Sequence, residues 1–242
     1  RPVDIQVALT EGVWQTYYPL NSLVNTNVIE FLVPGTSNQV IDFPECSLYI
    51  SGKFKKSDGT DLAAGASVCS VNNLMHSMIR TVDVSLNGQL LTRASKDYAY
   101  KDMFLKLTQT NMPQQGKTDP QLIMEGFYMD DPGTQIVAGN SAIAERKKLI
   151  AESRTFELRG PLCVDLFQCD RNLVMGSDLN IKVHLNDPSF HMFDNNATAG
   201  DRITPKLSLE SVELYVRRVT VADSFVNAIN KEITERDAIY PF

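Results

Sequence analysis

Short apolar runs that alternate with polar residues constrain the fold of this chain more than any other feature. Within Ser47–Lys55, the side chains of Leu48, Ile50, Gly52 and Phe54 fall on one side of an extended chain, and polar residues separate them. A period of two is typical of a β-strand with one buried face, whereas a helix needs a period of 3.6 residues. The pattern therefore predicts a protein built from sheets.

A second alternating run ends in the strongest turn signal of the sequence. Ile79–Leu86 alternates, Asn87-Gly88 follows at once, and Leu90 and Leu91 resume the apolar pattern. Asn and Gly both tolerate a positive φ, which the tight turn of a two-residue hairpin requires. The segment therefore predicts a β-hairpin that turns at Asn87-Gly88.

Further strand signals occur at both ends of the chain, and helical patterns interrupt them at two places. The other predicted strands are Val28–Val33, Arg154–Leu158, Leu179–Leu185 and Leu207–Val221, and Trp14–Tyr18 predicts a short strand or an extended arm. A phase change near Glu210-Ser211 predicts a β-bulge in the last of them. Helices are predicted at Lys96–Gln109 and Ala222–Arg236, where apolar residues recur every three or four positions. Together these signals favour an all-β fold, an antiparallel jelly-roll β-sandwich with inserted loop helices and a C-terminal helix.

The first predicted helix carries a single apolar stripe. The stripe consists of Tyr100, Met103, Phe104 and Leu107. Such a stripe is typical of a helix that packs against a core. The polar stretch that follows is too long for a plain connection, which predicts a functional loop or one that packs on a neighbour.

Composition and charge narrow the classes of function. The chain has 242 residues, of which 43% are hydrophobic, so it can bury the core of one large all-β domain or of two small ones. Its formal net charge is −6, whereas proteins that neutralise nucleic-acid phosphates rely on clustered Lys and Arg. We therefore expect no specific nucleic acid recognition. No apolar run approaches the roughly 18–20 residues of a membrane span, so none is expected.

The sequence contains no familiar catalytic or metal-binding motif. His76, His184 and His191 lie outside any HExxH pattern, and there is no GxSxG element. The four cysteines lack the CxxC spacing and are expected to be reduced, buried thiols: Cys46, Cys69, Cys163 and Cys169. We therefore predict no catalytic residues, no metal ligands and no cofactor.

Two aromatic segments are candidates for interfaces. They are Phe127–Tyr128 and Phe190–Phe193, since large apolar groups in loops are costly unless they pack against something. Packing within the core of the same domain is the alternative. The basic run Arg146–Lys148 predicts a solvated loop, with contact to nucleic acid or an acidic partner as the alternative.

Several short segments follow one another in an order that one protein family shares. They are Phe31–Ser37, Val71–Ser77, Val82–Gln89, Tyr98–Lys101, Gly126–Asp130, Gly160–Leu166, Gln168–Arg171 and Ala238–Phe242. In these segments the chain resembles the double jelly-roll major capsid protein of Polinton (Maverick) elements and the related adintoviruses. The residues that carry the motifs, with an expected structural role, are Pro34, Gly35, Asn72, Asn73, His76, Ser77, Asp83, Asn87, Gly88, Tyr98, Tyr100, Gly160, Pro161, Asp165, Tyr240 and Pro241.

The resemblance implies that this chain is the N-terminal jelly roll of a capsid protein and not an enzyme. Residues 1–20 would be an N-terminal arm, and residues 21–242 a single jelly-roll domain, the first of two in a full-length subunit. The expected partners are other copies, in homotrimeric capsomers of an icosahedral shell, and neighbouring capsid or penton proteins. The expected location is the virion capsid, assembled inside the host cell. Since the chain stops at Phe242, a shorter relative working alone is the alternative.

Three other functions stay open at this point. A single jelly-roll penton or minor capsid protein would account for the missing second half. A carbohydrate-binding jelly-roll module would need solvent-facing aromatic residues on a concave sheet, and the only Trp is Trp14. An enzyme on a cupin-like barrel would need clustered His and carboxylate ligands, but His76 lies far in sequence from His184 and His191.

Overall fold

The structure is a computed structural model, and it describes residues 9–92, 96–109, 119–131, 139–169, 171–196, 200 and 202–235. The strands are β1 (Leu9–Tyr17), β2 (Val28–Val33), β3 (Gln39–Lys56), β4 (Val68–Ser70), β5 (Ile79–Leu86), β6 (Gln89–Leu90), β7 (Phe156–Gly160), β8 (Leu179–Leu185), β9 (Met192–Asp194) and β10 (Pro205–Val221). The helices are α1 (Leu74–Ser77), α2 (Tyr98–Gln109), α3 (Pro120–Met124), α4 (Ser141–Ile150), α5 (Asp165–Gln168) and α6 (Asp223–Glu235). Short 3-10 turns cover Ala151–Ser153 and Pro188–Phe190.

Two four-stranded antiparallel sheets form the sandwich. Sheet A has the order β1-β10-β3-β7, sheet B has the order β2-β8-β5-β6, and β4 and β9 form a separate pair. Without that pair, the first of the eight strands joins the last, the second joins the seventh, the third the sixth and the fourth the fifth. This nested pairing is the jelly-roll topology, so the predicted fold class is confirmed.

The buried face of β3 is the one that the alternation predicts. Leu48, Ile50 and Phe54 are buried in the core between the sheets, where they meet Ile29 and Phe31 of β2. Each fully buried side chain of this size contributes about 1.5–3 kcal/mol to folding. The apolar alternation therefore both selects the strand and fixes which face points inward.

The predicted hairpin and bulge are both present. Asn87 and Gly88 have φ values of 48° and 81°, and Ser85 pairs with Leu90 across the turn. The register between β10 and β3 shifts after Leu209, at the position predicted from the phase change. Local turn chemistry and side-chain phase were therefore reliable signals in this sequence.

Three of the four residues of the predicted apolar stripe of α2 face solvent, whereas Met103 is partly buried against Leu122 and Phe127. Tyr100, Phe104 and Leu107 are 57%, 66% and 46% exposed. The opposite face of the helix carries Asp102 and Lys106, and these polar side chains are the ones that turn inward. The expectation that the stripe packs against the core is wrong for Tyr100, Phe104 and Leu107, because buried ion pairs hold the other face.

Two further expectations concern the basic run Arg146–Lys148 and the N-terminal arm. Arg146–Lys148 lies on α4 and not in a loop, and Arg146 is buried, with Nη2 3.0 Å from an Asp130 carboxylate oxygen. Part of the predicted N-terminal arm, Leu9–Tyr17, forms β1 at the edge of sheet A. The division into an arm over residues 1–20 and a domain over residues 21–242 stays a prediction.

Among the described residues, no helix is long and apolar enough to cross a bilayer.

Candidate functional site

Several motif residues converge on one buried polar cluster where α1, α2 and the end of α3 meet. We refer to His76, Asn73, Tyr98, Asp102, Lys106 and Glu125 as the His76 cluster. The Nε2 atom of His76 lies 3.0 Å from Glu125 Oε2, and its Nδ1 atom lies 3.1 Å from the Tyr98 hydroxyl. An Asp102 oxygen lies 3.5 Å from the same Nδ1 atom. The ring, which belongs to α1, is therefore held by polar groups from α2 and from the end of α3.

Two adjacent asparagines connect the His76 cluster to the surrounding chain. Asn73 adopts the left-handed conformation, with φ 57°, and its amide donates to Asp102 and accepts from Lys106. Asn72 accepts the backbone N–H of Tyr128 at 2.8 Å and donates to the Tyr128 carbonyl at 2.8 Å. Asn tolerates a positive φ and offers both a donor and an acceptor. The Asn-Asn pair therefore suits a segment that must turn sharply and tie α2 and the chain after α3 together.

Lys106 supplies the positive charge of the His76 cluster. Its Nζ atom lies 2.7 Å from Asp102 Oδ2 and also contacts Glu125. Burial acts to raise the pKa of both carboxyls, but the charge of Lys106 and the interaction with His76 outweigh it. Both carboxyls therefore have a pKa below its usual range and stay ionised at neutral pH.

His76, Asp102 and Glu125 also form an arrangement that could hold a metal ion. Their ligand atoms all lie within 4.8 Å of one another. The sequence search missed this set because the three residues come from different elements and share no spacing motif. The Lys106 ammonium group contacts both carboxylates, so it already supplies the cation of the site. The His76 cluster therefore fits a buried ion-pair network better than a metal centre.

Gly160, another motif residue, leaves room for the His76 cluster. A Cβ atom at this position of β7 would lie 2.5 Å from Glu125 Cγ and 2.7 Å from Glu125 Cδ. Glycine therefore lets the buried carboxylate lie directly against the strand.

Replacing Gly160 with alanine is expected to destabilise the protein by about 1–3 kcal/mol, because the added methyl group displaces Glu125 from His76. Urea unfolding followed by circular dichroism measures the change. Gly200→Ala is the matched control, since a Cβ there would meet nothing within 4 Å. Equal unfolding midpoints for the two variants would contradict this account of Gly160.

A second group of motif residues meets at Asp178, before β8. The backbone N–H of Gly35 donates to the Asp178 carboxylate at 2.7 Å. Asn87 and Asp178 exchange two hydrogen bonds of 2.9 Å, one through the Asn87 side chain. The carbonyl of Pro34 accepts from Arg218, whose side chain is buried. This junction joins the β2–β3 connection to the β5–β6 hairpin.

The remaining motif residues do not join one site. His184 lies 2.9 Å from an Asp83 oxygen on the neighbouring strand, and Lys101 pairs with Asp165 at the surface. Tyr100 belongs to the exposed stripe of α2. Ser77 donates to the backbone near the His76 cluster, and Pro161 directly follows β7. Tyr240 and Pro241 lie outside the described residues.

A cleft of about 660 Å³ lies between β5, the start of α2 and residues 163–166. Aliphatic side chains such as Val82 and Leu166 line it together with Lys101 and Asp165. Burial raises the pKa of the Cys163 thiol in this cleft to about 12, so the thiol stays protonated and is a poor nucleophile. All four cysteines are free and buried, as the sequence predicts.

The two aromatic segments predicted as interfaces differ. Phe127 is only 1% exposed and packs with Leu122, so the interface prediction is wrong for this residue. Phe190 and Phe193 are exposed, whereas His191 between them is fully buried. The second segment therefore keeps part of its apolar surface available for a partner.

Solved structures of viral capsids have a similar architecture. The Faustovirus major capsid protein superposes with a TM-score of 0.54 at 11% identity, over 96% of this chain and 58% of that chain. The chain has the fold of a viral capsid jelly roll. PBCV-1 VP54, in a structure fitted into a reconstruction of the virophage Sputnik, gives a TM-score of 0.52 at 9% identity over 94% of this chain and 46% of that one. A chain of the Sputnik virophage structure gives 0.52 at 13% identity, over 92% and 50%.

Comparison of the sequence with known families and curated proteins finds no match. The chain spans 46–58% of the length of the three solved chains above. At 9–13% identity the likeness establishes the fold alone, so the role of the chain has to be argued from its surface and its core.

Proposed function

We propose that the chain is a structural protein of an icosahedral capsid shell and that it acts by self-assembly into capsomers. The observation that carries this proposal is the nested jelly-roll pairing, which superposes on the Faustovirus major capsid protein over 96% of this chain. The buried His76 cluster supports a structural role, since Lys106 contacts both carboxylates and neutralises their charge. The proposed role is therefore structural.

The finer assignment is the N-terminal jelly roll of a double jelly-roll subunit of the Polinton and adintovirus type. Motif residues that the resemblance selected meet in the His76 cluster and at Asp178, which supports it. The span of about half of each matched chain is also what one of two jelly rolls would give. The proposed partners are two further subunits of a homotrimer, with neighbouring capsid or penton proteins. The proposed location is the virion capsid, after assembly inside the host cell.

The other functions are less well supported by the geometry. A cupin-like enzyme would bring its histidines together, but His76, His184 and His191 have separate surroundings: the ion-pair cluster, Asp83 and the ring of Phe54. The solvent-facing Trp14 is stacked on Arg217, with 4.1 Å between the guanidinium carbon and the ring centroid. This stacking leaves that aromatic face less available for a sugar.

Self-assembly is expected to be visible with the purified chain. Static light scattering over a wide concentration range should give a mass of three copies or more, and negative-stain microscopy should show rings or shells. A copy number of three supports the capsomer tile, and five supports a vertex protein. A strictly monomeric particle at all concentrations would contradict self-assembly of this chain.

A further inference from the structure

The pair formed by β4 and β9 is a short element outside both four-stranded sheets. We call Val68–Ser70 and Met192–Asp194 the β4–β9 ribbon, in which each strand has three residues. Two backbone hydrogen bonds of 2.9 Å continue the ribbon at its ends, from Val71 to His191 and from Asn195 to Ser67. Elements with few backbone hydrogen bonds and few buried contacts open at a lower free energy than the sheets of a core. The ribbon is therefore a part of the fold that can open by itself.

His191 lies directly before β9, and its side chain is fully buried. Its ring faces that of Phe54 on β3, with 6.1 Å between the ring centroids. The backbone groups of His191 are hydrogen-bonded, but neither ring nitrogen has a partner among the described residues. The site therefore accepts a neutral imidazole, whereas a protonated ring would be a buried charge without an acceptor.

The charged groups around His191 do little to stabilise its protonated form. Among the described residues, Asp187 is the charged group that favours the protonated ring, and it already accepts two hydrogen bonds from Ser189. Asp194 of β9 accepts two backbone N–H groups instead. The charged side chains on the facing parts of β3 and β10 lie on the outer face of sheet A: Lys53 paired with Glu210, Lys55 paired with Asp61, and Lys206 beside Lys55. Burial therefore dominates, and it lowers the pKa of His191 from 6.5 to about 4.

The ribbon contains a second buried polar group without a partner. The hydroxyl of Ser70, which lies opposite Met192, is buried and has no hydrogen-bond partner among the described residues. Unsatisfied buried groups lower the stability of the segment that carries them. Phe190 and Phe193 are 40% and 42% exposed, so this segment also leaves part of its apolar surface outside the core. The ribbon is therefore less tightly held than the two sheets.

We propose that the β4–β9 ribbon is an acid-opened element, in which protonation of His191 releases residues 187–194 from the sandwich while both four-stranded sheets stay paired. Opening moves the ring into water, where the charged imidazolium is solvated. It also uncovers the buried side chain of Met192. This property goes beyond self-assembly and belongs to a single copy of the chain.

The direction and the range of the effect follow from the pKa of His191, which is 6.5 for an exposed ring and about 4 for the buried one. Between these values the open form binds a proton that the closed form does not. The open fraction therefore rises by about tenfold for each unit by which pH falls, until the closed form is protonated too. From pH 7 to pH 5 the expected increase is about twentyfold.

Hydrogen–deuterium exchange with mass spectrometry tests this on the unaltered chain at pH 7 and pH 5, after correction for the pH dependence of exchange in an unstructured peptide. Exchange detects the open form while it is still a small fraction of the molecules. Peptides that cover residues 67–71 and 187–195 are expected to lose protection by about twentyfold. Peptides from β3 and β10 should exchange more slowly at both pH values. If the ribbon exchanges no faster than these strands, it opens only when the whole domain unfolds, and the proposal is wrong.

Replacement of His191 separates its proton from other effects of acid. In His191→Phe the protection of the ribbon should be equal at the two pH values, because phenylalanine binds no proton. His184→Gln is the matched control, since it removes a partly exposed histidine outside the ribbon and should keep the loss of protection. Circular dichroism verifies that each variant is folded, and His191→Leu replaces His191→Phe if the latter is not. A ribbon that still loses protection in acid without His191 overturns the proposal.

The failure of this inference and the failure of the proposed function give different results. If the chain assembles but its ribbon keeps its protection at pH 5, only the acid opening is overturned. If the chain is monomeric at every concentration and its ribbon opens in acid, only the self-assembly of this chain is overturned.

Discussion

Replacing Lys106 with methionine is expected to lower the free energy of unfolding by about 3–5 kcal/mol. The methionine side chain fills a similar volume, so the change removes the charge and little packing. Asp102 and Glu125 would then remain ionised and buried without their cation. An uncompensated charge in a low-dielectric interior is among the most destabilising features that a single substitution can create.

Lys101 offers a matched control on the same helix. It also forms an ion pair, with Asp165, but the two side chains are 41% and 52% exposed. Solvent screens such a pair, which contributes about 0–1 kcal/mol, so Lys101→Met should change little. Urea unfolding of both variants followed by circular dichroism compares the two pairs directly.

A second variant tests the cause of the Lys106 effect. Lys106→Met combined with Glu125→Gln removes one of the two uncompensated carboxylates and should recover part of the lost stability. If the double variant is less stable than Lys106→Met alone, the loss does not come from buried charge. If Lys106→Met and Lys101→Met are equally stable, the buried ion pairs of the His76 cluster contribute no more to the stability of the fold than an exposed ion pair does.

The fold was predictable from the sequence because its signals are local. Alternation fixed the inward face of β3, and the Asn87-Gly88 pair defined the β5–β6 turn. The phase change in β10 located the bulge near Glu210. Each of these features depends on residues that are adjacent in sequence, and the pairing between distant strands then follows from burying one face of every strand.

The orientation of α2 could not be predicted, since it depends on residues from other parts of the chain. Periodicity alone put Phe104 inward, because an apolar stripe ordinarily meets a core. The polar face has partners at Asn73, His76 and Glu125, which only the folded chain brings beside Asp102 and Lys106. The ion pairs decide the orientation of α2, because the charges of Asp102 and Lys106 have partners only in the interior. The apolar stripe can stay at the surface at a lower cost in free energy than an unpaired buried charge.

The His76 cluster was predictable only in part. The resemblance selected Asn73, His76, Tyr98 and Gly160, but without saying that they meet. Asp102 and Lys106 lie inside a helical pattern in which polar residues ordinarily face solvent. A signal was present nevertheless, because Asp102 and Lys106 lie four residues apart, a spacing at which opposite charges pair on one face of a helix.

Acidification from pH 7 to pH 4 is expected to lower the free energy of unfolding by about 3 kcal/mol through His191 alone. This residue is fully buried against the ring of Phe54, and neither ring nitrogen has a partner among the described residues. Burial lowers the pKa of His191 from 6.5 to about 4, although the charge of Asp187 acts in the opposite direction. Between these two values the unfolded chain binds a proton that the folded chain does not, and each pKa unit corresponds to about 1.36 kcal/mol.

The sign and the window of this effect separate it from the other buried groups. A base whose pKa is lowered by folding destabilises the fold as pH falls through its unfolded pKa, and the loss is complete below its folded pKa. Asp102 and Glu125 have a pKa below its usual range, so they contribute to the loss of stability once pH falls toward the ordinary carboxyl values of 3.8 and 4.5, where the unfolded chain binds protons that the folded chain does not. The window between about pH 6.5 and pH 5 therefore belongs mainly to His191.

His191→Phe should remove most of the acid sensitivity in this window, since phenylalanine fills a similar space and binds no proton. Urea unfolding at pH 7, 5.5 and 4 gives the pH dependence for the unaltered chain and the variant. His184→Gln is the control, because His184 is partly exposed beside Asp83, and its replacement should leave the acid loss in place. If His191→Phe loses stability as steeply as the unaltered chain, the proton is bound elsewhere. A buried neutral histidine would then not be what makes this jelly roll sensitive to acid.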